Sequence, residues 1–462
     1  MRLSIKMLLV IVMTLAILVP LSMVRGIIHD RQAYRAEVVQ GIGRSYAGAQ
    51  AFAGPVLVVP YTETVEVEAK DPYGVARKQV KQVQRQWTFF PKDLAVGGAI
   101  SPSTRRRGPH EVRVYEWRGL AQASFDATIP VDPDPLRPRI IGRPWLGYAI
   151  ADVRGLSIVP RLQVDGAVVA LREGLGMREA PGVHARLAAP VAGKRLLLQT
   201  RLEFALAGTE SLALVPLGTS NRFELTSTWP HPAFGGSFLP RTHDIGDHGF
   251  SARWEIASMA TRAQAQFLAG NALPTVLGQS RGNGETLLSE GIDAVGLSLV
   301  DPVNVYSQAD RATKYGLLFV LLTFVVFFLF ELIRQLPIHP IQYLLVGLAL
   351  AIFFLLLVSL SEHLDFGLAY LVAAIACIGL IGLYLVAVLR SAARAAGFAL
   401  MLATLYAALY GLLVSEDNAL VLGAALLFLV LAAIMAVTRR VDWYDLAGGR
   451  AAMPPIARAA AG

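Results

Sequence analysis

Two stretches decide what this chain can fold into. Tyr315–Phe330 and Pro340–Ser361 contain no Asp, Glu, Lys or Arg, and Thr323 is the one strongly polar side chain in the first of them. As helices, runs of this length span about 30 Å of hydrocarbon, the first with help from flanking residues. The chain therefore enters a membrane near Tyr315, where a mixed polar region gives way to a hydrocarbon-like one. A chain of 462 residues with 54% apolar and 16% charged content fits no soluble class.

The rest of the membrane pattern follows. Arg2 and Lys6 precede an uncharged run from Met7 to Val24. That run is longer than the ~7–15 residues of a signal-peptide core, and VPLSMVRG has no A-x-A cleavage pattern, so an uncleaved anchor is expected. Further spans are expected at Phe366–Leu389, Ala395–Val414 and Ala419–Thr438, which makes five after residue 313 and six in all. Arg2, Lys6, Arg334, Arg390, Arg394, Arg439, Arg440, Arg450 and Arg458 fall on one side of these spans. The short loops 361–366 and 415–418 hold Glu362, Asp365, Glu416 and Asp417 instead. Positive residues stay inside, so both termini are expected in the cytoplasm and residues 26–312 in the periplasm of a bacterium-like cell, at the inner membrane. This asymmetry also accounts for much of the net charge of +8, and no nucleic-acid partner is implied.

Residues 26–312, about 285 in number, exceed the usual ~150-residue domain. Ile27, Tyr34, Val38 and Ile42 follow helical spacing and predict a stalk that ends near Gly41 and Gly43. Beyond Gly54-Pro55 the pattern becomes short alternating runs broken by Gly and Pro: 56–70, 80–90, 111–117, 120–129, 164–171, 196–206, 211–217, 222–229, 250–256 and 293–300. One helix is expected within 264–273. The only cysteine, Cys377, lies in a span beside Ala369 and Ala373 as a packing residue, so the polar region contains no disulfide. The expected fold is an α+β membrane protein. A large periplasmic antiparallel β-sandwich-like domain (26–312) is inserted between an N-terminal anchor helix (1–25) and a C-terminal five-helix transmembrane bundle (313–440), with a cytoplasmic tail (441–462).

Residues capable of chemistry are few. His231, His243, Asp244, Asp247 and His248 could ligate a metal, but His243 and Asp247 share a face only on a helix, and Gly246 and Gly249 argue for a loop. Ser361, Glu362 and His363 are adjacent, so they cannot face one another as nucleophile and base. Glu331 and Arg334 read as an inner-interface pair. No span carries a charge or His at its middle, which disfavours proton-coupled transport. Arg105, Arg106 and Arg107, with Arg77, Lys78, Lys81 and Arg85, read as hairpin tips. The polar region has no S-x-x-K or H-E-x-x-H pattern. Neither a cofactor nor a metal is expected. One coupling site is: Asp310, Arg311 and Lys314 precede the second span, while Glu362, His363 and Asp365 follow the third at the same bilayer level. The expectation is that Arg311 or Lys314 pairs with the Glu362–Asp365 loop and fixes the β domain on the bundle.

LTSTWPHPAFGGSFLP (225–240), DRATKYGLLFVLLTFVVFFLFE (310–331), HPIQYLLVGLALAIFFLLLVSLSEH (339–363) and VDWY (441–444) together resemble the CreD family of bacterial inner-membrane proteins. The likeness runs from the anchor through GPVLVVPY (54–61) to the last span. The resemblance implies a role in cell-envelope integrity under a two-component regulatory system, with links to β-lactam response, and no catalytic residues. The partner would be an envelope protein, a lipid or a wall polymer. The competing reading is a transporter or lipid-handling protein with an accessory outer domain.

Overall fold

The computed structural model describes residues 3–70, 76–108, 110–132, 137–176, 180–275, 291–299, 305–334, 339–415 and 419–439. It divides into two compact units: Arg35–Pro302, and Met1–Tyr34 with Val303–Gly462. Both divisions fall inside the expected 26–312, the first of them within a helix. The α-helices are α1 (Leu3–Ser45), α2 (Ala263–Ala269), α3 (Val305–Arg334), α4 (Pro340–Ser361), α5 (Phe366–Leu389), α6 (Ala392–Val414) and α7 (Ala419–Thr438).

The strands, all in the first unit, are β1 (Gln50–Lys70), β2 (Ala76–Phe89), β3 (Asp93–Arg107), β4 (His110–Thr128), β5 (Ile140–Ile141), β6 (Trp145–Ile150), β7 (Arg161–Val164), β8 (Ala167–Val169), β9 (Arg172–Glu173), β10 (Gly182–Arg186), β11 (Arg195–Thr209), β12 (Ser211–Val215), β13 (Ser220–Ser227), β14 (Ala233–Gly236), β15 (Thr242–Gly246), β16 (Gly249–Ala257) and β17 (Val295–Ser298). One sheet runs β14-β17-β12-β1-β6-β10-β9, with β2 and β5 also on β1; the other runs β15-β16-β13-β3-β4-β11-β7-β8. Alternation of buried and exposed residues along β4 from Tyr115 onward and along β16 turns one face of the second sheet inward. That face meets the first sheet in a core containing Phe52, Leu57, Trp117, Phe125, Tyr148, Phe204, Phe223 and Trp254. The other face of the first sheet bears small residues, Ala51, Ala53, Ala149 and Ala213, which cluster with Ala263 of α2.

The sandwich is mixed rather than antiparallel throughout. β1 pairs parallel with β12 and β3 parallel with β13, pairings that long intervening segments make reachable. β3 is absent from the sequence expectation because Gly97, Gly98 and Pro102 read as breakers. β4 runs unbroken where two strands are expected: Gly119 keeps it straight by leaving room for Phe204, whose ring would lie 2.4 Å from an added Cβ. The run 164–171 is a hairpin, turning at Asp165 and Gly166, both of positive φ. The helix expected at 264–273 stops at Gly270, whose left-handed backbone caps it.

In the second unit, four helical stretches among the described residues are long and apolar enough to cross a membrane: Ile11–Ser45 in α1, and α4, α5 and α6. Three C-terminal helices thus meet that measure, not the expected five. α3 and α7 are helical over the expected ranges, but the described apolar stretch of α7 is only Val421–Ala432. α3 carries Asp310, Arg311, Lys314 and Glu331 near its two ends. Ile17, Leu21, Val24 and Ile28 of α1 share one buried cluster with residues of α3, α4, α5 and α6, so α1 is a packed member of this unit rather than a bare anchor. The tail, VDWY, Glu416 and Asp417 lie outside the described residues.

Candidate functional site

The buried positions of α1 in the helical unit, Thr14, Ile17, Leu21, Val24 and Ile28, recur at alternating steps of three and four, the spacing of a coiled-coil seam. Two glycines let neighbouring helices approach it. A Cβ on Gly347 of α4 would lie 2.7 Å from Ile17 Cγ1 and 2.7 Å from Phe324 Cζ, and one on Gly316 of α3 would lie 3.4 Å from Leu21 Cδ2. Small residues that admit a partner helix drive packing where solvent gives no hydrophobic force.

One step further along this seam lies Arg31. Its Nε is 3.4 Å from Glu362 Oε1 at the end of α4, and Arg25 Nε donates to Asp310 Oδ1 at 3.3 Å. Lys314 Nζ lies 2.8 Å from Asp310 Oδ2, one turn away on its own helix. The acids are largely covered, 15% exposed for Asp310 and 11% for Glu362, and the bases about half exposed. Of the six expected coupling residues, then, Asp310 and Lys314 meet each other, and Glu362 takes an arginine of α1. His363 and Asp365 are exposed; the His363 amide donates to Leu360 O, and Asp365 precedes α5 without a side-chain cap. All six belong to the helical unit. Sequence reasoning missed Arg25 and Arg31, although Arg31 continues the three-four seam that a register count from Ile17 would have exposed.

Within the β unit, the end of α1 is held by other means. Arg35 Nη2 donates to Glu210 Oε1 at 2.9 Å. Val38 and Ile42 bury against Val112 and Val114 of β4. Ile27 and Tyr34, expected on the same face, are exposed at 40% and 51%, because the upstream seam is set by Val24 and Ile28. The Arg105 guanidinium sits 5.5 Å from the Tyr46 ring centroid, and a Cβ on Gly41 would meet Arg107 Nη1 at 2.6 Å, so two of the three tip arginines pack on this helix end. Arg154 closes the last turn, donating to Arg44 O at 2.7 Å and to Gly43 O at 3.5 Å. A cation here complements the carbonyl end of the helix dipole. Arg154 is itself held by Asp152 through bonds of 2.8 and 2.6 Å, and Asp152 also accepts from Gly48 N at 3.0 Å. The Arg154 guanidinium keeps the Asp152 carboxyl below the usual carboxylate range against the opposing effect of burial, with the Gly48 and Arg154 amides adding to the lowering. Buried Gln50 completes the junction, donating to Asp152 O and Ala207 O at 2.9 and 2.8 Å.

The interior of the helical unit is filled by rings. Phe319 and Phe353 each approach Tyr406 at 4.6 Å edge-to-face, and Phe353 lies 5.3 Å from Tyr370, whose hydroxyl donates to Tyr406 O at 2.7 Å. Cys377 is buried beside Ala349 O at 3.5 Å. Glu331 is 5% exposed and accepts from Tyr343 Oη at 2.7 Å; the Arg334 side chain lies outside the described residues. The segment 242–257 is the hairpin β15–β16, which puts Asp247 and His248 at its turn and His243 on an exposed strand. Among the described residues no three His, Cys, Asp or Glu side chains converge to hold a metal.

A family model described as "Inner membrane protein CreD" matches residues 2–444. The inner membrane protein CreD of Escherichia coli (strain K12) is 34% identical over 437 residues, covering 93% of this chain and 91% of that protein. Among solved structures, an M1 zinc metallopeptidase mutant from Deinococcus radiodurans aligns over 38% of this chain and 39% of its own at 11% identity and a TM-score of 0.21. A two-domain M1 zinc metallopeptidase mutant bound to L-arginine aligns over 36% and 38% at 12% identity and a TM-score of 0.17. Likenesses of that size carry no argument.

Proposed function

This chain belongs to the CreD family of inner membrane proteins, and from that premise we propose that it is a non-catalytic protein of cell-envelope integrity and envelope-stress response, including the response to β-lactams. The β unit faces the periplasm and binds a partner or ligand. The helical unit holds it in the inner membrane with both termini cytoplasmic. α1 belongs to both units and couples them. The observation that carries this reading is the double fastening of α1: an apolar seam with arginine pairs in one unit, and a capped, ion-paired end in the other. The ring-filled interior of α3–α6 favours a structural bundle over a transporter. Its rings occupy the space where a carrier places substrate.

The test is complementation of a deletion strain. Restored exclusion of an otherwise impermeant dye, and restored β-lactam and detergent tolerance, are expected from the wild-type chain. They are not expected from a chain with Gly-Pro-Gly inserted between Tyr34 and Arg35. Full complementation by the insertion variant would sink the coupling role, and a deletion without envelope defect would sink the proposal. Reporter fusions after Arg394 and within 361–366 should report opposite sides of the membrane.

A further inference from the structure

The outward face of the second sheet holds a polar concavity of about 440 Å³ lined by Asp93 and Ala95 of β3, Gln122 and Ser124 of β4, Gln199 and Arg201 of β11, and Gln163 of β7. Its floor follows from strand register. Ala95, Gln122, Arg201 and Gln163 stand in one row across four adjacent strands, and Asp93, Ser124 and Gln199 in the next. The hollow exists because Ala95 and Gly97 present almost no side chain on this face of β3, while their neighbours across the sheet are long. Its rim is fixed by the Asp165-Gly166 turn, where Asp165 Oδ1 accepts from Gln199 N at 2.8 Å.

The charges in this hollow are already committed, and the amides are not. Arg201 donates twice to Glu203 Oε1, at 3.0 and 2.9 Å, and Asp93 Oδ2 accepts from Ser124 Oγ at 2.8 Å. The side-chain amides of Gln122, Gln163 and Gln199 make no hydrogen bond to any described residue. Each offers two donors and an acceptor. Three such groups on neighbouring strands about 4.8 Å apart match a ligand whose surface alternates hydroxyl donors and acceptors at similar spacing. They match a second amide equally well. An anion would meet the Asp93 carboxylate, and an apolar ligand would strip water from three amides without replacing its bonds.

We infer that this concavity binds a neutral, hydroxyl- and acetamide-bearing sugar chain, an N-acetylated glycan of the wall-polymer type, through Gln122, Gln163 and Gln199. This deepens the envelope reading above and rests on it for the placement of the face toward wall material. Binding by the purified protein is nevertheless independent of topology and phenotype. A failure here removes the glycan assignment, whereas a failure of complementation removes the envelope role.

The experiment is calorimetric titration of the full chain in nanodiscs with a β-1,4-linked N-acetylglucosamine tetramer, and with a β-1,4-linked glucose tetramer as comparator. Saturable binding of the first and at least about tenfold weaker binding of the second are expected. The pair Gln122→Ala with Gln199→Ala should weaken the first at least about tenfold with an unchanged melting temperature, since both side chains face solvent. Gln84→Ala, exposed on β2, should change nothing. Absence of saturable binding to the wild type, equal binding of the two tetramers, or wild-type binding by the double variant would each overturn the assignment.

Discussion

α1 is held in both units, but the two grips differ in kind. In the helical unit its face is Ile17, Leu21, Val24 and Ile28 inside a shared apolar cluster, with Arg25 and Arg31 reaching partly covered acids at the margin. In the β unit Val38 and Ile42 are the large apolar side chains that α1 buries, and the hold comes from Arg35 with Glu210, the Arg154 cap and the Asp152 junction. The apolar seam of the first grip depends on shape and close approach and so is insensitive to pH and salt, and only its marginal arginine pairs respond to them. The second depends on charge and helix-end geometry and responds to both. A helix held this way keeps its packing in the helical unit while its end in the β unit remains tunable.

The contrast can be broken at four places, taken from the largest effect down. Ile28 is fully buried, so Ile28→Ala removes seam contacts and leaves a void. A loss of about 2–5 kcal/mol is expected in the helical transition, measured by detergent unfolding of the full chain; a loss below 1 would mean that the seam does not hold. Gly347→Ala inserts a methyl 2.7 Å from both Ile17 and Phe324, and about 1–3 kcal/mol should be lost from the same transition. At the other grip, Arg154→Ala should lower stability less than either of these, because the guanidinium is 57% exposed and acts chiefly at the helix end. Arg31→Ala should be smallest, about 0–1 kcal/mol, the range for a half-exposed pair, and added salt should shrink it further.

The pH response sharpens the same contrast. The Asp152 carboxyl is depressed in the folded chain, so its stabilisation is present above the ordinary carboxylate pKa of about 4. It disappears as pH falls through the lowered folded value. Asp152→Asn should therefore melt below the wild type at pH 7, and the gap should close on acidification. The corresponding gap for Ile28→Ala should stay constant with pH. A gap for Asp152→Asn that is flat across that range would remove the ionic account of the grip in the β unit.

What was legible in the sequence was whatever depends on composition and short periods. The charge-free runs named α4 and α5 to the residue, and the alternation in 222–229 and 250–256 located β13 and β16. What was hidden depends on partners far along the chain. Nothing local says that β12 and β13 lie parallel to β1 and β3, or that Gly119 belongs inside a strand because Phe204 needs its space. The expected pairing of Arg311 or Lys314 with the Glu362–Asp365 loop rests on neighbours at one bilayer level, and such a reading does not see Asp310 one turn from Lys314. Arg25 and Arg31 carry no local signal as pairing residues, because an uncharged anchor run does not reveal that Ile28 rather than Ile27 sets the packed face of α1. The glutamine rows escaped for the same reason: Gln122, Gln163 and Gln199 lie on three strands and become neighbours only through register.

The most direct test of the account is amide hydrogen exchange along residues 25–45 of the full chain in nanodiscs. An α1 that is one unbroken helix, fastened on either side of Tyr34, should show slow exchange from Arg25 through Ser45, with no gap at 32–36. Exchange at 32–36 as fast as in an unstructured peptide, between two protected flanks, would show a hinge where continuity is claimed and would contradict coupling through this helix.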